Sequence, residues 1–373
     1  MILRHGVDPV RLDYILCRNR SASSQCGDRT ARPVAGEAGN LLPRQELGTT
    51  GLQITRIGFG AWAVGGGGYA YAWGEQDDNE SIAAIRHAVE SGINWIDTAA
   101  VYGLGHSEEI VRAAIEPYDT DDRPFVFTKC GVVWDPSDRA KTPWRSARPE
   151  SVRRECEESL RRLGVERIDL YQVHRPPDDD VAIEDYWATM VELKAAGKVR
   201  AIGLSNHGRG LLDRAEAVGH VESLQPAFSA IHRSAAADEL PWCANHGTGV
   251  VVYSPMQSGL LSGGFTRERA AELPDDDWRS RSADFAGAGL DRNLALAAAM
   301  RPVARRHDVS VAAVAIAWTL SFPAVTAAIV GARRFQQVDA WLVAGDLILT
   351  DGDIDEIAEA IERTGAGEGP VRP

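Results

Sequence analysis

The sequence predicts an α/β fold, a single parallel (β/α)8 or TIM barrel, and two of its patterns carry this prediction. Short apolar segments typical of strands alternate with longer segments that have helical periodicity. Such alternation gives a parallel sheet, and eight repeats within one domain close the sheet into a barrel. Several apolar segments also end in a polar residue, as strands do where a barrel carries its functional site.

The first barrel element is preceded by a short segment of alternating polar and apolar residues. Between Leu47 and Ile57 the pattern indicates a turn between two short strands. We therefore expect an N-terminal β-hairpin that closes the bottom of the barrel. The eight predicted barrel strands are Ile57–Phe59, Trp95–Ile96, Phe125–Thr128, Leu170–Val173, Ala201–Leu204, Ser223–Gln225, Val250–Tyr253 and Ala327–Val330.

Helical patterns fill the intervals between these strands. One of them begins with a proline in its first turn, which is a common way for a helix to start. The predicted helices are Asn79–Ser91, Pro149–Leu163, Glu184–Ala196, Leu211–Val218, Ala235–Asn245, Val311–Ser321 and Arg334–Val343. The polar segment Gly263–Ala288 interrupts the alternation, and it is either a mobile loop near the site or a plain surface insertion.

The N-terminal part of the chain differs from the rest. Residues 1–41 are polar and show no sustained period, so we expect a disordered tail. A start codon placed upstream of the true one explains them equally well. Their best apolar run, Tyr14–Cys17, is too short for a signal peptide. The barrel domain is then expected at 42–373.

Composition restricts the partners and the compartment. The net charge of -13 disfavours a nucleic-acid partner. No apolar run reaches the length of a membrane span, so no membrane partner is expected. The five cysteines show no C-x-x-C spacing, which argues against a zinc ribbon or a disulfide framework and suits a reducing cytoplasm. The oligomeric state stays open.

Polar residues at or just past three strand ends are the most informative feature of the sequence. Asp97 and Tyr102 follow the second predicted strand, Lys129 the third, and His174 the fourth. Because these ends converge on one face of a barrel, we expect the four side chains to share a pocket. The alternative is a separate surface or core role for each.

Together the four groups suit proton transfer to a carbonyl oxygen. A nearby ammonium lowers the pKa of a phenol, so we expect Lys129 to lower that of Tyr102. Asp97 would keep Lys129 charged, and His174 would hydrogen-bond the phenol or a substrate oxygen. A phenol tuned in this way suits protonation of an oxygen that gains negative charge as its carbon receives hydride.

Six motifs resemble the aldo-keto reductase family in content and in order, from about Leu42 to about Thr364. Within the family, Trp73–Asp78 and Lys129–Gly131 are most similar to the bacterial general-stress-type branch. The six motifs are Asn94–Ala99 with Val101–Gly103, Thr128–Gly131, Gln172–His174, Gly203–Asn206, Val252–Pro255 and Ile329–Arg334. The resemblance implies a small-molecule carbonyl substrate and a tetrad of Asp97, Tyr102, Lys129 and His174, with Tyr102 as general acid.

The resemblance also implies a nicotinamide cofactor held by barrel loops, since no G-x-G-x-x-G follows a first strand. Ser205, Asn206 and Gln225 would bind its carboxamide, and Tyr253 would stack on the nicotinamide ring. Wrapping of the pyrophosphate is implied for Ser254, Pro255, Met256, Gln257, Ser258, Gly259 and Leu260. The adenosine phosphate is implied to lie at Gly331 and Arg333, with Arg334 sharing the task and Gln337 on the adenine side.

Arginine binds a 2'-phosphate well, so NADP(H) is expected rather than NAD(H). Two positions depart from the pattern of the family. Gly264 stands where lysine is common, and Trp341 stands where an adenine contact is common. Trp341 would either stack on adenine or pack its helix.

The substrate pocket is less defined by the sequence. Trp62, Trp134 and Arg175 are its predicted contacts; loop packing is the alternative for the tryptophans and an ordinary salt bridge for Arg175. The expected activity is the reversible, NADPH-dependent reduction of an aldehyde or ketone. Two alternatives remain: a nicotinamide-bound regulatory or redox-sensing subunit, and a sugar or polyol dehydrogenase that works mainly in the oxidative direction. No metal is expected.

Overall fold

A closed barrel of parallel strands forms the frame of the protein. The computed structural model describes residues 42–274 and 277–373, so the predicted tail at 1–41 lies outside the described residues. Around the barrel the strands follow one another in chain order, and the last pairs with the first. The barrel strands are Ile57–Gly60, Trp95–Asp97, Phe125–Cys130, Ile168–Val173, Val199–Ser205, Ser223–Gln225, Gly249–Tyr253 and Ala327–Gly331. The predicted fold class and all eight predicted strands are confirmed.

Helices surround the barrel and cover its outer face. The helix predicted at Pro149–Leu163 has the bounds that the structure shows. With one exception, the ends of the other predicted helices lie within two residues of the observed ends. The α-helices are Asp78–Glu90, His106–Ile115, Pro149–Leu163, Ile183–Ala195, Arg209–Glu216, Glu239–His246, Arg267–Ala271, Gly287–Ala299, Arg301–Arg306, Val311–Leu320, Phe335–Leu342 and Asp351–Thr364.

The exception is the predicted helix Ala235–Asn245, which is wrong in its first part. The chain makes a short 3-10 turn at Ser234–Ala236, and the helix begins only at Glu239. Pro241 explains the break, because its ring clashes with a carbonyl four residues earlier and it has no N–H to donate. A continuous helix through this proline is therefore disfavoured.

The predicted hairpin is present and fills the lower end of the barrel. Its strands, Arg44–Glu46 and Gln53–Thr55, pair antiparallel. Leu47, Leu52 and Ile54 are buried against inward-facing residues from the beginnings of the barrel strands, Trp95 and Phe127 among them. This apolar plug closes the bottom and leaves the carboxyl ends of the strands as the open face.

The layer above this plug is polar. Side chains alternate along a strand, so the residue two positions after an inward-facing residue also points inward. Trp95 is followed in this way by Asp97, Phe127 by Lys129 and Leu170 by Gln172, and all three polar residues are buried. Near its open end, the interior of the barrel therefore changes from apolar to polar and charged over two residues along each of these strands.

Two features are absent from the described residues. Among residues 42–274 and 277–373, no helix is long and apolar enough to cross a membrane. Within the same ranges, no cluster of His, Cys, Asp and Glu side chains could hold a metal ion.

Candidate active site

A buried ion pair lies at the centre of the open end. Lys129 Nζ lies 2.5 Å from Asp97 Oδ1, and the side chains are 0% and 4% exposed. The same ammonium donates a second hydrogen bond to the backbone oxygen of Thr98, at 2.9 Å. Burial lowers the pKa of Lys129, and the charge of Asp97 opposes that shift. The aspartate thus stabilises a charged lysine in a place where water does not reach it.

Tyr102 and His174 complete the predicted tetrad beside this pair. Tyr102 begins a tight turn after the second barrel strand, in which Gly103 and Leu104 both have positive φ. Its ring centroid lies 5.3 Å from Lys129 Nζ and 5.6 Å from the imidazole of His174, which meets it edge-on at 81°. The structure therefore brings together all four residues that the sequence placed at strand ends.

The expected direction of the Tyr102 pKa is wrong for this state of the protein. Burial raises that pKa well above its ordinary value, and the nearby charge of Asp97 raises it further. Lys129 does not reverse the effect, because its charge is already paired with Asp97 at hydrogen-bonding distance. Tyr102 is consequently a neutral phenol, which is the protonation state that a proton donor requires.

His174 is neutral as well. Burial lowers its pKa well below the ordinary value, and the charges of Lys129 and Arg175 act in the same direction. A neutral imidazole has one N–H to donate and one nitrogen to accept. Arg175 is exposed at the rim, and among the described residues it has neither a salt bridge nor a hydrogen bond. The salt-bridge alternative for Arg175 is thus not seen in this part of the chain.

The amide groups predicted to hold a carboxamide form a connected set. Asn206 donates to the backbone oxygen of His174 at 3.0 Å and to Ser205 Oγ at 2.9 Å. Its Oδ1 accepts the hydroxyl of Tyr253 at 2.7 Å. Gln225 donates to Asp97 Oδ2 at 2.8 Å, so the cofactor-side amides and the ion pair share one network.

The predicted pyrophosphate segment, Ser254–Leu260, has an unusual backbone. Ser254, Gln257 and Ser258 have positive φ although none of them is glycine, and Gly259 follows at φ 103°. Non-glycine residues in this region cluster at ligand sites, and such turns aim successive backbone N–H groups at an anion.

The side chains of this segment serve the fold instead. Gln257 bonds Ser229 and Asp284, and Leu260 is fully buried in the core. Met256 packs against the same core. The backbone, together with the exposed sides of Ser254 and Ser258, is what the segment offers to a ligand.

The predicted adenosine-phosphate residues lie together at the end of the last barrel strand. Arg333 Nε bonds Gln76 Oε1 at 2.6 Å, and the guanidinium also contacts the backbone oxygens of Trp73 and Glu75. Arg334 lies 3.3 Å from Glu80. The side chain of Gln337 accepts from the backbone N–H of both arginines, so it caps the following helix. Trp341 is buried and packs its helix.

Tryptophans form a wall beside Tyr102. Trp62 stacks on the Tyr102 ring at 6.0 Å and 25°, and on Trp278 at 6.0 Å and 18°. Trp73 meets both tryptophans edge-on, and the guanidinium of Arg279 lies 4.7 Å from the Trp73 ring centroid. The segment Gly263–Ala288 therefore reaches the site.

Not every contact of this wall was predicted. Trp73, Trp278 and Arg279 lack a sequence signal because loops bring them to the site without strand or helix periodicity. Trp134 and Tyr102 both pack against the cluster that contains Tyr69 and Val101, and a substrate contact of Trp134 stays a prediction.

The parallel barrel, with its buried Lys129–Asp97 pair beside a phenol and an imidazole, defines an oxidoreductase of the barrel class. The model of the aldo/keto reductase family matches residues 56–362, and the chain belongs to this family. Members of the family use a nicotinamide cofactor and interconvert carbonyl compounds and alcohols.

Known relatives agree with this assignment. The chain is 35% identical to the aldo-keto reductase YhdN of Bacillus subtilis (strain 168), over 85% of this chain and 93% of the relative. It is 33% identical to the NADH-specific methylglyoxal reductase of Escherichia coli (strain K12), over 85% of this chain and 98% of the relative. The solved glycerol dehydrogenase of Gluconobacter oxydans has a TM-score of 0.79 at 33% identity, covering 88% of this chain and 98% of that one.

Proposed function

We propose that the protein reduces an aldehyde or ketone reversibly to an alcohol, with NADPH as the reductant and Tyr102 as the general acid. The observation that carries the proposal is the position of the Tyr102 phenol beside a buried ion pair and an imidazole. The bound cofactor supplies hydride to the carbonyl carbon. Tyr102 supplies the proton to the carbonyl oxygen, so the alcohol forms without a free alkoxide.

The remaining residues of the tetrad assist this proton transfer. As the phenol gives up its proton, negative charge grows beside the ion pair, and the ammonium of Lys129 limits the repulsion between that charge and Asp97. Asp97 keeps that ammonium protonated despite its burial. The N–H of neutral His174 orients the carbonyl oxygen toward Tyr102. Solvent then returns a proton to the tyrosinate through the open cleft.

Two segments at the open end of the barrel support the proposed binding of a dinucleotide through its phosphates. The backbone of Ser254–Gly259 has positive φ at four positions, a conformation that is common at anion sites and suits a pyrophosphate. Arg333 and Arg334 lie directly before the next helix and are suited to a 2'-phosphate, which is why NADPH is proposed over NADH. One relative is named as NADH-specific, so the preference for NADPH is to be tested by titrating the protein with both cofactors.

A sugar or polyol dehydrogenase is the second candidate, because a solved relative at 33% identity is a glycerol dehydrogenase. Exposed Arg175 at the rim suits a polyhydroxylated or anionic substrate. Both candidates use the same tetrad, so they differ only in substrate and preferred direction.

One experiment separates the candidates. A panel of aldehydes and ketones is followed by the loss of NADPH absorbance, and a panel of polyols by its appearance from NADP+. We expect faster turnover in the reductive panel at neutral pH. Faster polyol oxidation would favour the second candidate, and no turnover in either direction would contradict the proposed activity.

The proposed location is a reducing cytoplasm. Three buried free cysteines among the described residues support it: Cys130, Cys156 and Cys243.

A further inference from the structure

A second amide lies in the polar layer of the barrel and has no part in the activity described so far. Gln172 pairs in register with Lys129 on the neighbouring strand. It is fully buried, and its Oε1 accepts a hydrogen bond from Gln225 Nε2 at 3.2 Å. Gln172 thus contacts Gln225, a predicted cofactor-binding residue that is itself hydrogen-bonded to Asp97.

The orientation of both amides follows from the charge on Asp97. A carboxylate paired with an ammonium can only accept hydrogen bonds, so the Gln225 group that faces it at 2.8 Å is the NH2. The second N–H of that NH2 then points at Gln172, which must present its oxygen. A reversed Gln172 amide would place two donors against each other. The two hydrogens of Gln225 Nε2 are both used in this way.

One polar group of Gln172 is left unsatisfied in this arrangement. Its own Nε2 is buried and has no partner among the described residues. An unsatisfied buried donor destabilises the fold, and an apolar side chain of similar size would avoid the penalty. Because Gln172 leaves its buried Nε2 without an acceptor among the described residues, packing alone does not explain a glutamine at this position.

We propose that Gln172 is a positioning residue that acts through Gln225. By accepting one N–H, Gln172 keeps the other on Asp97 and leaves Gln225 Oε1 as the only atom of that amide free to bind a ligand. The ligand chemistry that fits Oε1 is an N–H donor, such as the carboxamide of nicotinamide. Gln172 therefore determines that the cofactor meets Oε1, and not Nε2, of Gln225. This inference rests on the proposed cofactor and reaction.

The test uses Gln172→Met, which keeps a flexible side chain of similar size and removes the acceptor. Four quantities are measured: the melting temperature, the Kd of NADPH by fluorescence titration, and kcat and KM with the best carbonyl of the panel. We expect an unchanged or higher melting temperature. We expect kcat to fall, and the Kd to rise, roughly three- to tenfold, the equivalent of one hydrogen bond. The KM of the carbonyl should not change.

A double-mutant cycle shows whether the effect passes through Gln225. In a Gln225→Leu background, Gln172→Met should cause no further change in the Kd or kcat. Ser223→Ala is the matched control, since the Ser223 hydroxyl, like the Nε2 of Gln172, is buried and has no partner among the described residues. Ser223 and Gln172 border the same glycine, and a Cβ added to Gly203 would lie 3.2 Å from each side chain. The control should leave the Kd and kcat at native values.

Several outcomes would overturn the proposal. An equal loss in the native and Gln225→Leu backgrounds would mean that Gln172 acts independently. A marked fall in melting temperature for both Gln172→Met and Gln172→Leu would give Gln172 a structural role. Native kcat and Kd in these variants would remove the positioning role. If the native protein reduces no carbonyl, the proposed function fails, whereas the Kd measurements still decide the role of Gln172.

Discussion

Replacing Asp97 by asparagine removes the charge that Lys129 contacts and keeps the shape of the side chain. Both partners of the pair are buried, so the variant leaves an ammonium without a counter-charge in a dry site. Breaking such a pair destabilises a protein by about 3–5 kcal/mol. The backbone oxygen of Thr98 remains as an acceptor at 2.9 Å, which places the expected loss near about 3 kcal/mol in this range.

The loss should depend on pH in a definite direction. Asp97 raises the folded-state pKa of Lys129 against the lowering effect of burial, so without Asp97 that pKa falls further. The stabilisation by Asp97 is fully present while Lys129 is protonated in both proteins. It is lost as the pH rises through the native pKa of Lys129, which lies below its ordinary value of 10.5. The two melting temperatures should therefore converge at alkaline pH.

Thermal unfolding of the native protein and the variant across neutral to alkaline pH measures this difference. At neutral pH we expect a fall of roughly 5–10 °C, given a few degrees per kcal/mol for a domain of this size. Asp135→Asn is the matched control, since it breaks an exposed pair with Lys141 at 3.3 Å. Exposed pairs contribute about 0–1 kcal/mol, so its melting temperature should hardly change. A deficit for Asp97→Asn that is absent, or constant with pH, would refute the reasoning.

Three further predictions concern the cofactor and the pH profile. Arg333→Ala should narrow the affinity gap between NADPH and NADH by roughly tenfold, because hydrogen bonds to a charged group are worth about 1.5–3 kcal/mol. Gln76→Ala, which removes the same loop contact without removing the charge, should leave the ratio unchanged in fluorescence titrations. Gly264→Lys should lower the Kd of NADPH, since a side chain there meets open space, and an unchanged Kd would place Gly264 away from the phosphates. The pKa of His174 is lowered, so the imidazole stays neutral down through its ordinary value of 6.5. The kcat/KM profile should therefore lack an inflection near 6.5; an inflection that His174→Gln abolishes would contradict this.

The barrel could be predicted from the sequence because its signals are local. Each strand is a short apolar run, and Asp97, Lys129 and His174 lie at or just past the ends of three of them. The helix His106–Ile115 was missed because no side chain caps its start, which directly follows the Tyr102 turn. The helix Asp351–Thr364 did offer a signal: Thr350 and Asp353 form a capping box at its start.

Site residues could be predicted where they lie at strand ends or within the motifs that resemble the family. Trp73 and Trp278 come from separate loops, and no spacing in the sequence brings them to Trp62. The Tyr102 pKa also escaped prediction, because its direction depends on burial and on the pairing of Lys129. A charge can be read from the sequence, whereas its neutralisation depends on distances that only the fold sets.

Tyr102→Phe provides the most direct test of the central claim, that the Tyr102 phenol protonates the substrate oxygen. The variant removes one hydroxyl and keeps the ring that stacks on Trp62. Carbonyl reduction, followed by NADPH absorbance, should fall about 100- to 10,000-fold, the usual contribution of a general acid. The Kd of NADPH, measured by fluorescence on the same sample, should stay near the native value. Retention of more than about a third of the native turnover, with the cofactor still bound, would contradict the assignment of Tyr102 as the proton donor.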